Sequence, residues 1–205
     1  MKTLKNKILP IVWLLTFFAG NTVKDGYRVG DNVTDFKLKN VDGKMVALSD
    51  YKDQRGVIVI FDCNTCPYSK AYNERILALD KKYKDKGFPV IAINANDPGI
   101  SPGDSFDEMV KHAKNKKYTF PYLMDESQEV AHNFGATNTP HVFILKNDKG
   151  TFKVAYIGAI DDNSRDASQA NQKYVESAVE AILNGKEVPT TKTKAIGCTI
   201  KYRSA

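Results

Sequence analysis

The sequence predicts an α/β fold, a mixed central sheet flanked by helices on both faces with an N-terminal β-hairpin extension. Two strand-length runs, residues 57–61 and 88–95, are almost continuously apolar, which suits strands buried on both faces. Segments with apolar residues three or four apart follow them, the spacing of amphipathic helices. A strand pair and a helix then close the domain, so antiparallel pairs join the parallel ones. With 205 residues and 42% hydrophobic content, one core can bury roughly 70% of the unfolded surface.

Residues 1–20 read as a targeting segment. Lys2, Lys5 and Lys7 precede residues 8–19, apolar apart from Thr16. That run is short of the about 20 apolar residues a bilayer span needs, so a secretory signal peptide is expected. Residues 18–21 do not place small residues at both cleavage positions, which leaves an uncleaved membrane anchor as the alternative. Export to the periplasm, or outside the cell, would put the chain where disulfides persist.

The domain proper is expected over residues 28–185. Residues 33–38 and 44–48 read as short strands around Asn40-Val41-Asp42-Gly43, whose Asp-Gly marks a turn. After strand 57–61, residues 67–86 form a helix with Tyr68, Tyr72, Ile76, Leu79 and Tyr83 inward and lysines outward. Strand 88–95 follows, and a polar loop leads to Ser105, whose spacing to Glu108 is that of a capping box for a helix reaching 116. Residues 120–124 read as a strand and 126–134 as a short helix stopped by Gly135. Residues 141–145 and 151–157 form a hairpin around Asn147-Asp148-Lys149-Gly150. A last helix, 171–184, presents Val175, Val179, Ile182 and Leu183 inward. The tail, 186–205, holds Cys198, and its pattern fixes structure least.

The net charge of +6 comes from 30 basic and 24 acidic residues. Three of the lysines belong to the targeting segment and the rest are scattered, so no nucleic-acid partner is expected.

Chemistry concentrates at Cys63-Asn64-Thr65-Cys66-Pro67, where strand gives way to helix. Pro67 suits the first helical position, which puts Cys66 at the N-cap. There its sulfur faces unpaired backbone N–H groups and the positive end of the helix dipole, both of which favour thiolate. A CxxC pair can also be half a zinc site, but no second CxxC or His-x-x-x-His follows. Asp62 beside the pair could assist proton transfer in a buried site, but adjacent strand residues point to opposite faces, so a solvated or hydrogen-bonded loop carboxylate is the expected role.

Three segments carry a family likeness: Phe61-Asp62-Cys63-Asn64-Thr65-Cys66-Pro67-Tyr68, Ala136-Thr137-Asn138-Thr139-Pro140-His141-Val142-Phe143 and Gly158-Ala159-Ile160-Asp161-Asp162. With the order of elements, they resemble the thioredoxin superfamily, and within it the peroxiredoxin-like branch of the alkyl hydroperoxide reductase and thiol-specific antioxidant group. The resemblance implies a thioredoxin-like fold in which Pro140 is cis and, with Thr139, forms a substrate groove beside the cysteines. Counted from Phe61, the attacking position falls on Cys66, and Ser69 takes the place of the usual partner. Cys63 stands where peroxiredoxins carry a threonine.

The leading expectation is a monomeric thiol–disulfide oxidoreductase, without cofactor, in which Cys66 attacks and Cys63 resolves, the roles exchanging if Cys63 is the more exposed sulfur. It would act on a disulfide-bearing protein and draw on a thiol reductant partner. The alternative is a peroxidase with Cys66 as peroxidatic cysteine and a peroxide as substrate. A third reading is a copper or zinc carrier using Cys63, Cys66 and His141, although a solvent-facing strand histidine is the commoner role. Cys198 is the candidate third redox cysteine if the tail folds back; otherwise it is a small buried hydrophobe. His112 and His132 read as surface or edge residues, and Arg165 as a loop surface residue.

Overall fold

The structure is a computed structural model that describes residues 26–204; the targeting segment, 1–20, lies outside the described residues. Strands β1 (Lys37–Asn40) and β2 (Met45–Ala47) form the expected hairpin. β1 begins later than the pattern suggested, because Val33 and Phe36 pack into the core as an irregular segment. The Val33 N–H bonds the Phe152 carbonyl at 2.8 Å instead of entering the β1 ladder.

There follow β3 (Gly56–Phe61), α1 (Pro67–Tyr83), β4 (Val90–Asn94), α2 (Phe106–Lys116), β5 (Tyr122–Met124) and α3 (Glu129–Phe134). β6 (Asn138–Thr139), β7 (His141–Asp148), β8 (Thr151–Gly158), α4 (Tyr174–Leu183) and β9 (Cys198–Thr199) complete the chain. The main sheet runs β2-β1-β5-β4-β3-β7-β8. Its middle strands, β3, β4 and β5, are parallel, as helical crossovers require, and antiparallel pairs flank them.

Every residue of β3 and β4 is buried, because both faces of the sheet are covered. On one face Ile58, Ile60, Val90 and Ala92 pack against Tyr72, Ile76 and Leu79 of α1, Met109 of α2 and Val175 and Val179 of α4. On the other, Val59, Phe61, Ile91 and Phe143 pack against Phe134 of α3, the segment around Val33 and Ile200 of the tail. Each fully buried large aliphatic side chain contributes about 1.5–3 kcal/mol. The rings of Phe61, Phe134 and Phe143 meet edge to face at 5.1–5.7 Å.

Several boundaries differ from expectation for local reasons. Ser105 is the N-cap of α2, but its side chain makes no cap bond, so the capping box is not formed. α3 starts later than residue 126 because Asp125 turns the chain, accepting the Ala131 N–H at 2.8 Å, while Gln128 adopts φ 63°. The tail is ordered on the sheet: Thr193 N–H bonds the Ile157 carbonyl, and Ile200 N–H bonds that of Thr137. No helix among the described residues is long and apolar enough to cross a membrane.

Candidate active site

β3 ends at Phe61, but the Asp62 N–H still bonds the Ile93 carbonyl, so the chain leaves the sheet at Cys63. Pro67 opens α1 and Cys66 is its N-cap, with extended backbone. Between the cysteines, Asn64 and Thr65 are clamped onto Asp104. Its carboxylate accepts the Asn64 N–H and the Thr65 hydroxyl, both at 2.7 Å, as well as the Asn96 amide and the Ser101 hydroxyl. Burial raises the Asp104 pKa, yet these donors outweigh it and hold the group below the usual range. A charged acceptor with several donors is a strong anchor, and it fixes the loop that carries both sulfurs.

The cis Thr139–Pro140 peptide lies directly against the pair. The Thr139 carbonyl is 3.1 Å from Cys66 Sγ, and Thr139 Oγ1 is 3.1 Å from Cys63 Sγ. Thr139 and Pro140 thus stand beside the cysteines, with Thr139 touching both sulfurs.

A third wall comes from the tail. β9 pairs antiparallel with β6, which sets Cys198 opposite Thr139. Gly197 lies so close that a Cβ there would come within 2.1 Å of the Thr139 oxygen. The Cys198 thiol and backbone N–H both face the Cys66 sulfur. Cys63, Cys66 and Cys198 therefore converge, all as free thiols. Cys63 is 2% and Cys66 1% exposed, whereas Cys198 is only partly covered.

This arrangement separates the sulfurs electrostatically. The Cys63 thiol beside it pulls Cys66 well below the ordinary thiol value, and the Cys198 thiol and the N–H groups of Ser69 and Cys198 add to this against burial. Cys63 is pushed far above the ordinary thiol value, first because it donates to Cys66 and then because it is buried. The pair shares one proton, which rests on Cys63. The Thr139 carbonyl favours a thiol at Cys66, but it is one acceptor against four donors.

Two residues depart from their expected roles. Asp62 is a buried carboxylate, not a solvated one: it is 1% exposed, it is hydrogen-bonded by Ser69 and the Cys63 N–H, and its Oδ1 alone has no partner. Burial raises it to about 6, opposed by the Ser69 hydroxyl and the Cys63 N–H. Strand alternation does turn Asp62 away from Phe61, but that is the face on which α1 packs and where Ser69 lies. Ser69 Oγ is 3.9 Å from Cys63 Sγ, so Ser69 stands between thiol and carboxylate. Its sequence signal was its position three residues after Cys66.

His141 is neither solvent-facing nor near the cysteines. It pairs across β3 with Phe61, and its ring packs 4.7 Å from that of Phe143, on the face opposite α1. Its Nδ1 accepts the Thr137 N–H at 3.3 Å. Burial, and then the charge of Lys192, lower its pKa to about 4. Among the described residues no group of three His, Cys, Asp or Glu side chains is placed to hold a metal, and the carrier reading loses its third ligand. His112 is half-buried against the Tyr118 hydroxyl, and His132 stacks on Tyr202. Arg165 is exposed.

A family model described as the AhpC/TSA family matches residues 29–157. A thiol-disulfide oxidoreductase ResA from Bacillus cereus is 26% identical over 157 residues, covering 70% of this chain and 84% of that protein. Among solved structures, an uncharacterized conserved protein from Geobacillus kaustophilus is 36% identical with a TM-score of 0.80, covering 87% of this chain and 94% of its own. A hypothetical protein from Sinorhizobium meliloti 1021 is 31% identical, also at 0.80, covering 88% and 97%. The family model covers more than half of the chain, and the chain belongs to the AhpC/TSA family of the thioredoxin superfamily.

Proposed function

We propose that the chain is a thiol–disulfide oxidoreductase in which Cys66 is the nucleophile and Cys63 the resolving thiol. The observation that carries this reading is geometric: Cys66 is the N-cap of α1 and Thr139 touches both sulfurs, an environment that favours thiolate at Cys66 and thiol at Cys63. The Cys66 thiolate attacks one sulfur of a substrate disulfide, the substrate S–S bond breaks, and the other sulfur leaves as thiolate. Once Cys66 is bonded to the substrate its charge is gone, and the contact that kept the proton on Cys63 disappears. Asp62, held near 6, then accepts that proton by way of Ser69. The Cys63 thiolate attacks Cys66, releases the second substrate thiol and leaves a Cys63–Cys66 disulfide, which a thiol reductant returns to the dithiol.

Thr139 and Pro140 supply the groove wall. Residues 1–20 would export the chain or anchor it at a membrane, where it would act as a monomer. Family membership and the register of Cys66 also favour a peroxidase reading, in which Cys66 would become a sulfenic acid captured by Cys63. Against it stands Cys63 in the place of the peroxiredoxin threonine.

The test is exchange with a model disulfide in wild type, Cys66→Ser and Cys63→Ser, with hydrogen peroxide as a parallel oxidant. Cys66→Ser should lose at least about a hundredfold in rate. Full exchange in Cys66→Ser with none in Cys63→Ser would reverse the roles, and faster reaction with peroxide than with disulfide would establish the peroxidase.

A further inference from the structure

The two sulfurs assigned to the exchange reaction are sealed, and the third, on β9, is the one solvent reaches. We propose that Cys198 relays the reaction between solvent and the buried pair: the Cys63–Cys66 disulfide passes by internal exchange to Cys66–Cys198, which an external dithiol attacks at Cys198. The inference rests on the exchange reading above and extends it to the route by which the oxidised protein is reduced.

The placement of Cys198 is built from both sides. Before it, Ile157 N–H bonds the Thr191 carbonyl, and Thr193 Oγ1 accepts the Ala159 N–H at 2.9 Å. After it, Ile200 is buried, Lys201 N–H bonds Asn96 Oδ1 at 2.8 Å and Arg203 N–H bonds Gln128 Oε1 at 2.9 Å. Between these anchors the β6–β9 pairing holds Cys198 opposite Thr139, the residue that touches both buried sulfurs. The same strand pairs along the edge of Thr139, so on that side the partly exposed Cys198 is the sulfur an external thiol meets first.

The chemistry suits this path. In the reduced protein, burial and then the neighbouring Cys66 raise the Cys198 pKa to about 11, so Cys198 rests as a thiol. When Cys66 is held in the disulfide with Cys63 its charge is absent, and Cys198 ionises more readily at the moment it must attack. Its sulfur bonds to Cys66, the Cys63–Cys66 bond breaks, and Cys63 leaves as a thiolate that takes up the proton Cys198 gave. This step is an isomerisation and needs no oxidant. The external dithiol then attacks Cys198 Sγ, and the bond to Cys66 breaks. Cys66, the most acidic thiol present, is the best leaving group. The second thiol of the reductant closes its own disulfide, frees Cys198, and so supplies the electron pair that restores the three thiols.

The experiment oxidises the full chain with diamide, blocks free thiols in acid and maps the linked peptides in wild type and Cys63→Ser. It then times reduction by dithiothreitol in wild type, Cys198→Ser and Cys198→Ala. Wild type should yield both Cys63–Cys66 and Cys66–Cys198, and Cys63→Ser only Cys66–Cys198. Both Cys198 variants should be reduced about tenfold more slowly than wild type, because the remaining disulfide is buried. Absence of the Cys66–Cys198 link from the wild-type map, which needs no variant to fold, overturns the relay, and so does an unchanged reduction rate in both Cys198 variants. Either result with model-disulfide exchange intact in wild type sinks the relay alone, whereas wild type without exchange sinks the reading beneath it.

Discussion

Asp62 is kept in a place where its charge is costly, and its titration is open to measurement. Its ordinary value is 3.8, and burial lifts it to about 6 in the folded protein. Between these values the native state holds a proton that the unfolded state has released. The favourable contribution is therefore complete below the lower value and lost as pH rises through the upper one. Asp62→Asn should accordingly be more stable than wild type by about 1–3 kcal/mol near pH 8, with the gain fading toward about pH 4. The same variant should resolve mixed disulfides more slowly, having lost the proton acceptor. Urea midpoints for both proteins at the two pH values test this, and an equal difference at both would refute the titration.

Among the elements, β3, β4 and α1 are legible in sequence because long apolar runs and a proline at the first helical turn speak locally. Cys66 at the N-cap follows from them directly. β6 and β9 are two residues each, too short for any periodicity, and their pairing joins segments far apart in the chain. For the same reason the Cys198 contact could be named only conditionally, while the fate of Asp62 and His141 depended on which helix covered which face. Gly197 is the residue on which β9 turns, since a side chain there would collide with the Thr139 oxygen. Gly197→Val should lift the strand, lower stability by about 1–3 kcal/mol and speed alkylation of Cys66. Time-resolved iodoacetamide labelling followed by peptide mapping checks this; an unchanged labelling rate would mean that β9 does not cover the thiolate.

For the whole molecule, the sheet divides two interiors with different duties. The face of α1 holds the proton-handling side chains, and the opposite face holds the aromatic cluster with His141 kept neutral. A histidine held at about 4 in the folded state stays unprotonated while its unfolded counterpart gains a proton near 6.5. Stability is thus intact above that value and drains away as pH falls toward the lower one. His141→Phe removes the titration, so between about pH 7 and pH 4 it should lose about 3 kcal/mol less than wild type. Parallel pH-dependent denaturation of the two proteins measures this, and identical losses would show that the ring is protonated in the native state.

The late position of the covering strand has a consequence for biosynthesis. Cys66 and Cys198 are 198 − 66 = 132 residues apart, so at 5–20 residues per second the ribosome needs roughly ten seconds to make the intervening chain. Throughout that interval Cys66 lacks both the cover of β9 and the Cys198 donors that lower its pKa in the finished protein, so its full acidity and its shield arrive together with the last strand.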